Sequence, residues 1–212
     1  MINTYLTSPE KRILDLLIAV LTLVITLPVF IASGLLLMIA DGFPLIYKRY
    51  VLAQHPVDKA FGTLVSFDAY KFRTMVRDSD GYLLSNEPLS TELRDNGKAA
   101  VDPRITQFGR ILRRWSLDEL PQLANVLRGQ MSMVGPRIMV ESESHVYGDD
   151  LPTILKTKPG VTGWWQVNAR GDGDPTSRHT YDMEYLQRAS LRFDLLVIFR
   201  TVGVVLSGRG AR

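Results

Sequence analysis

With 212 residues, the chain has room for one compact domain and an appendage. A net charge of +3 is too small to argue for nucleic acid, and the absence of cysteine removes disulfides, thiol nucleophiles and thiolate metal sites. His55, His145 and His179 are widely separated, so a zinc site is not expected and any divalent metal would be held by oxygen.

From Leu16 to Ala40 there are 25 consecutive uncharged residues, rich in Leu, Ile and Val. About 20 such residues span a bilayer as a helix. The run is too long for a cleavable signal peptide and carries no small-x-small site before Asp41. Pro28 interrupts it and removes one backbone hydrogen bond. Basic residues flank both ends, Lys11 and Arg12 before and Lys48 and Arg49 after, and cytoplasmic flanks carry such an excess. A re-entrant helix broken at Pro28, entering and leaving by one face, satisfies both observations. Residues 1–42 are therefore expected to form a membrane hairpin, and 43–212 a domain on the cytoplasmic face.

In the soluble part, β-prone runs at 43–47 and 63–67 suggest a small strand-containing segment. Residues 77–103 are polar and turn-rich, an expected extended loop with a short helix near Thr91–Asp95. Residues 106–128 read as helical with a break near Ser116, and 149–158 and 178–190 are further helix candidates. The apolar stretch Phe193–Leu206 reads as a core helix or an interfacial amphipathic one, with the interface preferred. The expected class is α+β, predominantly helical.

The stretch GRILRRWSLDELPQL, Gly109 to Leu123, sets Arg110, Arg113 and Arg114 before the adjacent carboxylates Asp118 and Glu119. Pro121 falls in a first helical turn if Asp118 is the cap; a Ser116–Glu119 capping box is the alternative. A carboxylate facing arginines beside a phosphate can act as a nucleophile or hold Mg²⁺. The bland alternative is a helix cap beside a surface acid. Lys71 and Arg73, two apart in YKFRTM, share one side of an expected strand. Arg137 on the turn of SMVGPR suits a phosphate clamp, or is an ordinary surface arginine. The loop PGVTGWWQVNARG carries Trp164 and Trp165, which can stack on a base or sugar, sit at headgroup level or pack in a core. Gln166 and Arg170 in the same loop are candidates for the same nucleotide, sugar or interface contacts.

Taken in order, these stretches resemble the bacterial sugar transferase family, the monotopic polyprenyl-phosphate phosphoglycosyl transferases. The resemblance covers nearly the whole chain: the Pro-broken apolar segment, KFRTM (71–75), DPRIT (102–106), the stretch 109–129, MSMVGPR (131–137), PGVTGWWQV (159–167) and Asp194-Leu-Leu. The loop between KFRTM and DPRIT and the C-terminal ending look more like the hexose-1-phosphate branch. The resemblance implies transfer of a sugar-1-phosphate from a UDP-sugar to undecaprenyl phosphate, with UMP released. By residue match, Asp118 would be the covalent nucleophile and Glu119 the second carboxylate of the dyad, implicated with Mg²⁺. Arg113 and Arg137 match phosphate-contacting arginines, and Lys71 matches a basic residue near the site; Arg73 beside it is a further candidate for phosphate. Membrane lipids are implied partners, a homodimer is allowed, and the inner membrane's cytoplasmic face is the implied location, in a surface-polysaccharide pathway. Departures stand at Tyr47–Val51, Gln130, Ile138 and Ala169, none of them in the dyad. A non-covalent glycosyltransferase releasing UDP and a non-catalytic membrane scaffold are the competing readings.

Overall fold

The computed structural model describes residues 3–53, 65–96, 99, 101–169 and 175–208. At its start the Ser8 side chain accepts from the Lys11 amide and Pro9 opens the first turn, where its missing N–H has no intrahelical partner to lose. Helix α1 runs from there without a break, Pro9–Asp41, and stops at Gly42, whose φ of 70° suits glycine. Its 33 residues correspond to about 50 Å of helix. Over the segment expected to form a re-entrant hairpin, helical structure is thus continuous through Pro28. Loss of a single hydrogen bond at Pro28 does not end a helix whose neighbouring turns remain intact.

Both ends of α1 rest on the same body. Lys11, Asp15 and Ala19 are buried at i, i+4 spacing on the N-terminal half, and Ser33 and Leu37 on the C-terminal half. Ile18 and Leu23 reach the larger core, and Phe30 reaches a smaller one around Leu37, Phe72 and Leu112. Between these contacts, Val24, Ile25, Leu27, Pro28 and Val29 are exposed. From Ile13 to Ala40 the outer face of α1 is apolar, and by length and composition the helix could cross a membrane.

Strand β1 (Ile46–Ala53) and strand β2 (Val65–Phe72) pair antiparallel, with Tyr47 opposite Lys71. The strands therefore lie a few residues beyond the β-prone runs expected at 43–47 and 63–67. Residues 77–103 are more helical than expected: α2 (Ser79–Leu84) is capped by Asp78, and α3 spans Glu87–Asn96. The expected short helix is the second half of α3. Helix α4 (Gln107–Arg114), a 3-10 segment Leu117–Gln122 and α5 (Leu123–Leu127) follow, with the expected break at Ser116.

Strand β3 (Ser132–Val134) pairs in parallel with β4 (Gly160–Thr162), and Gly160 packs against the Gly135 backbone where no Cβ would fit. Between them lie the 3-10 segment 141–150 and α6 (Leu151–Leu155), shorter than the helix expected over 149–158. Helices α7 (Trp164–Asn168), α8 (Pro175–Arg188) and α9 (Leu191–Ser207) complete the chain. Helix α9 divides as an amphipathic helix should: Phe193 and Val197 enter the core, while Leu195, Phe199, Val202 and Leu206 are exposed. The fold is mostly helical with small sheets, as the sequence suggested.

A buried ionic cluster joins α1 to this body. Lys11 Nζ donates to Asp15 Oδ1 (3.1 Å), Asp194 Oδ2 (2.6 Å) and the Val134 carbonyl (3.0 Å). Tyr5 and Tyr185 donate to the two oxygens of Asp194, and Ser132 Oγ and the Met133 amide donate to Asp15. Burial raises the Asp194 carboxyl above its ordinary range, against the pull of Lys11. Every charge here has partners, the condition under which a buried ion cluster is tolerated.

Candidate active site

A cleft of about 830 Å³ opens between the β1–β2 hairpin, the segment after β2, the 3-10 segment and the Gly-Pro-Arg turn. Its lining includes Lys71, Arg73, Arg104, Arg113, Asp118, Glu119, Arg137 and Trp165. The dyad, both expected arginines and both basic residues of KFRTM therefore meet in one place.

Ser116 places the dyad. Its φ of 55° is left-handed, uncommon for a residue with a Cβ, and it turns the chain sharply between α4 and the 3-10 segment. The Ser116 amide donates to the Arg113 carbonyl and the Glu119 amide to the Ser116 carbonyl, closing a tight turn around Leu117 and Asp118. Neither helix-start reading survives: Ser116 is the cap, without a side-chain capping bond, and Asp118 and Glu119 fall in the first turn. Pro121 is tolerated in so short a segment because few intrahelical bonds need its N–H.

Asp118 is only 8% exposed. Glu119 Oε1 accepts from Lys71 Nζ at 2.7 Å, so the end of β2 holds the second carboxylate. Arg113 Nε donates to Thr74 Oγ1 at 2.9 Å; burial pulls its guanidinium below the ordinary value, while Asp118 acts the other way. Asn125 fixes the hairpin that carries Lys71: its amide donates to the Asp68 carbonyl and its oxygen accepts from the Tyr70 amide. Arg104 of DPRIT is clamped bidentate by Asp102 and sits 8% exposed at the cleft wall.

Arg137 lies over the Trp165 ring, 5.3 Å from its centroid. No carboxylate among the described residues comes within ion-pair distance of it. Burial and the nearby Arg178 both lower its guanidinium, with Glu119 the first opposing charge. Behind the turn, Arg178 donates to Tyr147 Oη, Glu143 and the Ile138 carbonyl, and Tyr147 donates to Asp182. The Asp182 carboxylate accepts from the Arg137 amide, and full burial pushes its carboxyl up to about 6. This scaffold was not legible in the sequence, because its hydrogen bonds join residues 31 to 45 apart.

Trp164 takes the core alternative, and Gln166 does not reach the cleft. Trp164 does not face the cleft: it is 7% exposed, packs 4.9 Å from Phe193 and donates to Glu184. One residue on, about 100° around the helix, Trp165 takes the cleft position. Gln166 lies on α7 away from the lining, with its side-chain oxygen buried and without a partner. Arg73 makes bonds the strand reading did not foresee: Nη2 donates to the carbonyls of Asp41 (2.6 Å) and Gly42 (2.7 Å) at the end of α1. Arg170 lies outside the described residues.

Two carboxylates inside a ring of cations make a site suited to anionic groups. The chain belongs to the bacterial sugar transferase family, whose description matches residues 6–208, and it is a transferase. It is 38% identical over 206 residues to the exopolysaccharide production protein ExoY of Sinorhizobium fredii, covering 95% of this chain and 88% of that one. It is 41% identical over 205 residues to the undecaprenyl-phosphate galactose phosphotransferase of Salmonella typhimurium, covering 95% and 41%. With the UDP-glucose:undecaprenyl-phosphate glucose-1-phosphate transferase of Escherichia coli it shares 34% over 202 residues, covering 91% and 39%. The chain thus spans about two fifths of the length of the latter two proteins.

Proposed function

We propose that the chain moves a hexose-1-phosphate from a UDP-sugar to undecaprenyl phosphate through a covalent bond to Asp118. The observation that carries this reading is the meeting of Asp118 and Glu119 with Lys71, Arg113 and Arg137 in one cleft beside the end of an apolar helix. An Asp118 carboxylate oxygen attacks the β-phosphorus of the donor; the bond from that phosphorus to the bridging oxygen breaks, and UMP leaves with that oxygen. An oxygen of the acceptor phosphate then attacks the aspartyl phosphodiester, freeing the carboxylate and yielding a lipid diphosphate sugar. Arg113 and Arg137 neutralise phosphate charge in place, which is most of what such catalysis requires.

Asp118 and Glu119 are the oxygen donors that would hold Mg²⁺, which would neutralise phosphate charge there. No third Asp, Glu or His joins them among the described residues. Such a sparse set suits an ion that keeps waters and substrate phosphates as most of its ligands. The hexose assignment is supported by relatives named for galactose and glucose at 41% and 34% identity, against 29% for one named for N-acetylgalactosamine. The name of the ExoY relative supports a place in exopolysaccharide production.

The topology proposed is re-entrant, on the cytoplasmic face of the inner membrane. Both ends of α1 dock on one body while its middle is exposed and apolar, which a straight span would not permit. The native chain has no cysteine, so single cysteines at Thr4 and Lys48 can be labelled from one side of intact vesicles. Labelling from opposite sides would sink the re-entrant reading. For the chemistry, the purified protein is incubated with Mg²⁺ and a panel of UDP-hexoses and its intact mass is read. A hexose-phosphate adduct, absent in Asp118→Asn, is expected; with lipid acceptor present, UDP release in place of UMP would establish the non-covalent route instead.

A further inference from the structure

We propose that Arg77, with Arg73 behind it, forms the subsite for the phosphate of the lipid acceptor, where the cleft adjoins the C-terminus of α1. The assignment rests on the reading above that the acceptor is a polyprenyl phosphate. Its starting point is a polar account that does not close. Arg73 is 7% exposed, and Nη2 alone is satisfied, by the carbonyls of Asp41 and Gly42. Nε and Nη1 are buried without any partner. A guanidinium left so incompletely bonded is costly, and it belongs to a residue that lines the cleft.

Arg77 stands beside it. Its Nη2 lies 2.9 Å from where a Cβ on Gly42 would be, so it rests on the same helix end, and Gly42 leaves the room for it. Arg77 is exposed, lines the cleft and has no carboxylate within ion-pair distance among the described residues. The nearby acids are already engaged: Asp78 accepts from the Gly81 amide, Asp102 clamps Arg104, and Asp80 adds to the field that stabilises the Arg104 cation. Two cations thus face one part of the cleft in need of an anion.

The surroundings say which anion. Phe43 is 62% exposed and Ile46 37%, an apolar rim next to the cations and continuous with the exposed face of α1. An apolar rim against two arginines fits an amphiphile with a phosphate head better than a free nucleotide. If both ends of α1 lie at the membrane surface, Gly42 is at the depth where a lipid phosphate sits. Lys71 and Arg73 are two residues apart along an extended chain, about 7 Å. A phosphate at Arg73 and Arg77 therefore lies in the same cleft as the Lys71–Glu119 pair and Asp118.

The test uses the full chain in phosphatidylcholine nanodiscs doped either with polyprenyl phosphate or with phosphatidylglycerol. Arg77→Gln is expected to raise the KM for polyprenyl phosphate about tenfold, the loss of one charge-assisted contact, with the KM for UDP-sugar within about twofold of wild type. Arg77→Lys should recover part of the loss. Without donor, retention of polyprenyl phosphate should fall in Arg77→Gln while retention of phosphatidylglycerol does not. An unchanged acceptor KM and retention would overturn the assignment. So would an equal rise in donor KM, or an equal loss of phosphatidylglycerol, which would make Arg77 a contact for bulk headgroups. The retention arm needs no covalent step, so it reads the subsite even if the aspartyl adduct never forms.

Discussion

The two ends of α1 are fastened to the body by opposite means. At the N-terminal end, Lys11, Asp15 and Asp194 form a buried cluster in which the charges meet one another and are closed by tyrosine and serine hydroxyls. At the C-terminal end, Leu37 packs on Phe72 and Leu112, Asp41 accepts from Thr106 Oγ1, and Arg73 reaches the last carbonyls with two nitrogens left over. The first joint is complete and lies outside the cleft lining; the second is incomplete and forms part of it. The difference indicates that the helix is anchored at one end and coupled to chemistry at the other. Disrupting the anchor should therefore cost stability, and disrupting the coupled side should cost turnover.

The sharpest break of that comparison lies at the dyad. Asp118→Asn keeps the shape of the side chain, and turnover should fall by at least about 10³-fold, since a carboxamide cannot serve as the nucleophile. Thermal unfolding should be close to wild type; a large drop would assign Asp118 to the framework instead. Lys11→Met should do the reverse. It leaves Asp15 and Asp194 buried without their cation, so denaturant unfolding in micelles should show a loss of roughly 3–5 kcal/mol. The folded fraction should still form the covalent adduct at the wild-type rate.

A third prediction concerns the scaffold behind Arg137. Asp182 is fully buried with a carboxyl near 6 when folded, against 3.8 as its ordinary value. The folded state therefore binds that proton more readily than the unfolded chain. The stabilising contribution is complete below about pH 4 and lost as pH rises through about 6, a swing on the order of 3 kcal/mol. Wild type should gain stability over Asp182→Asn between pH 7 and 5. A difference that stays flat across that range would mean Asp182 keeps its charge throughout.

The sequence exposed what is local and chemical. The carboxylates of Asp118 and Glu119 and the cations Lys71, Arg113 and Arg137 all reach the cleft; each stood out by its residue type within its own motif, although only Arg113, Asp118 and Glu119 are close in sequence. Long-range pairing stayed hidden. The parallel bridge from Ser132–Val134 to Gly160–Thr162, the Asn125 bonds to β2 and the Arg178–Tyr147–Asp182 scaffold join segments that no periodicity connects. Trp164 and Trp165 show the finer limit: both are aromatic and adjacent, and one step of helical rotation decides which is core and which is cleft wall. The polar segment 77–103 misled for another reason: a helix of six residues that opens Ser-Asp-Gly, as α2 does, is too short to show an apolar period.

The smallest effects separate close approach from mere helix propensity. Gly109 sits where α4 crosses the strand end, and a Cβ there would meet the Thr74 carbonyl oxygen at 2.2 Å, a backbone atom that cannot swing aside. Thr74 also accepts from the Thr106 amide and, through its hydroxyl, from Arg113, so displacing α4 displaces an arginine of the cleft lining. Gly109→Ala should cost about 1–3 kcal/mol of stability and lower kcat along with it. Gly203, on the exposed side of α9, has nothing within 4 Å of its would-be Cβ and lies far from the cleft lining. There the same substitution should stabilise by roughly 0.5–1 kcal/mol and leave kcat alone, because only helix propensity changes. If Gly109→Ala lowered stability without touching kcat, α4 would be a support for the fold and not the element that aims Arg113.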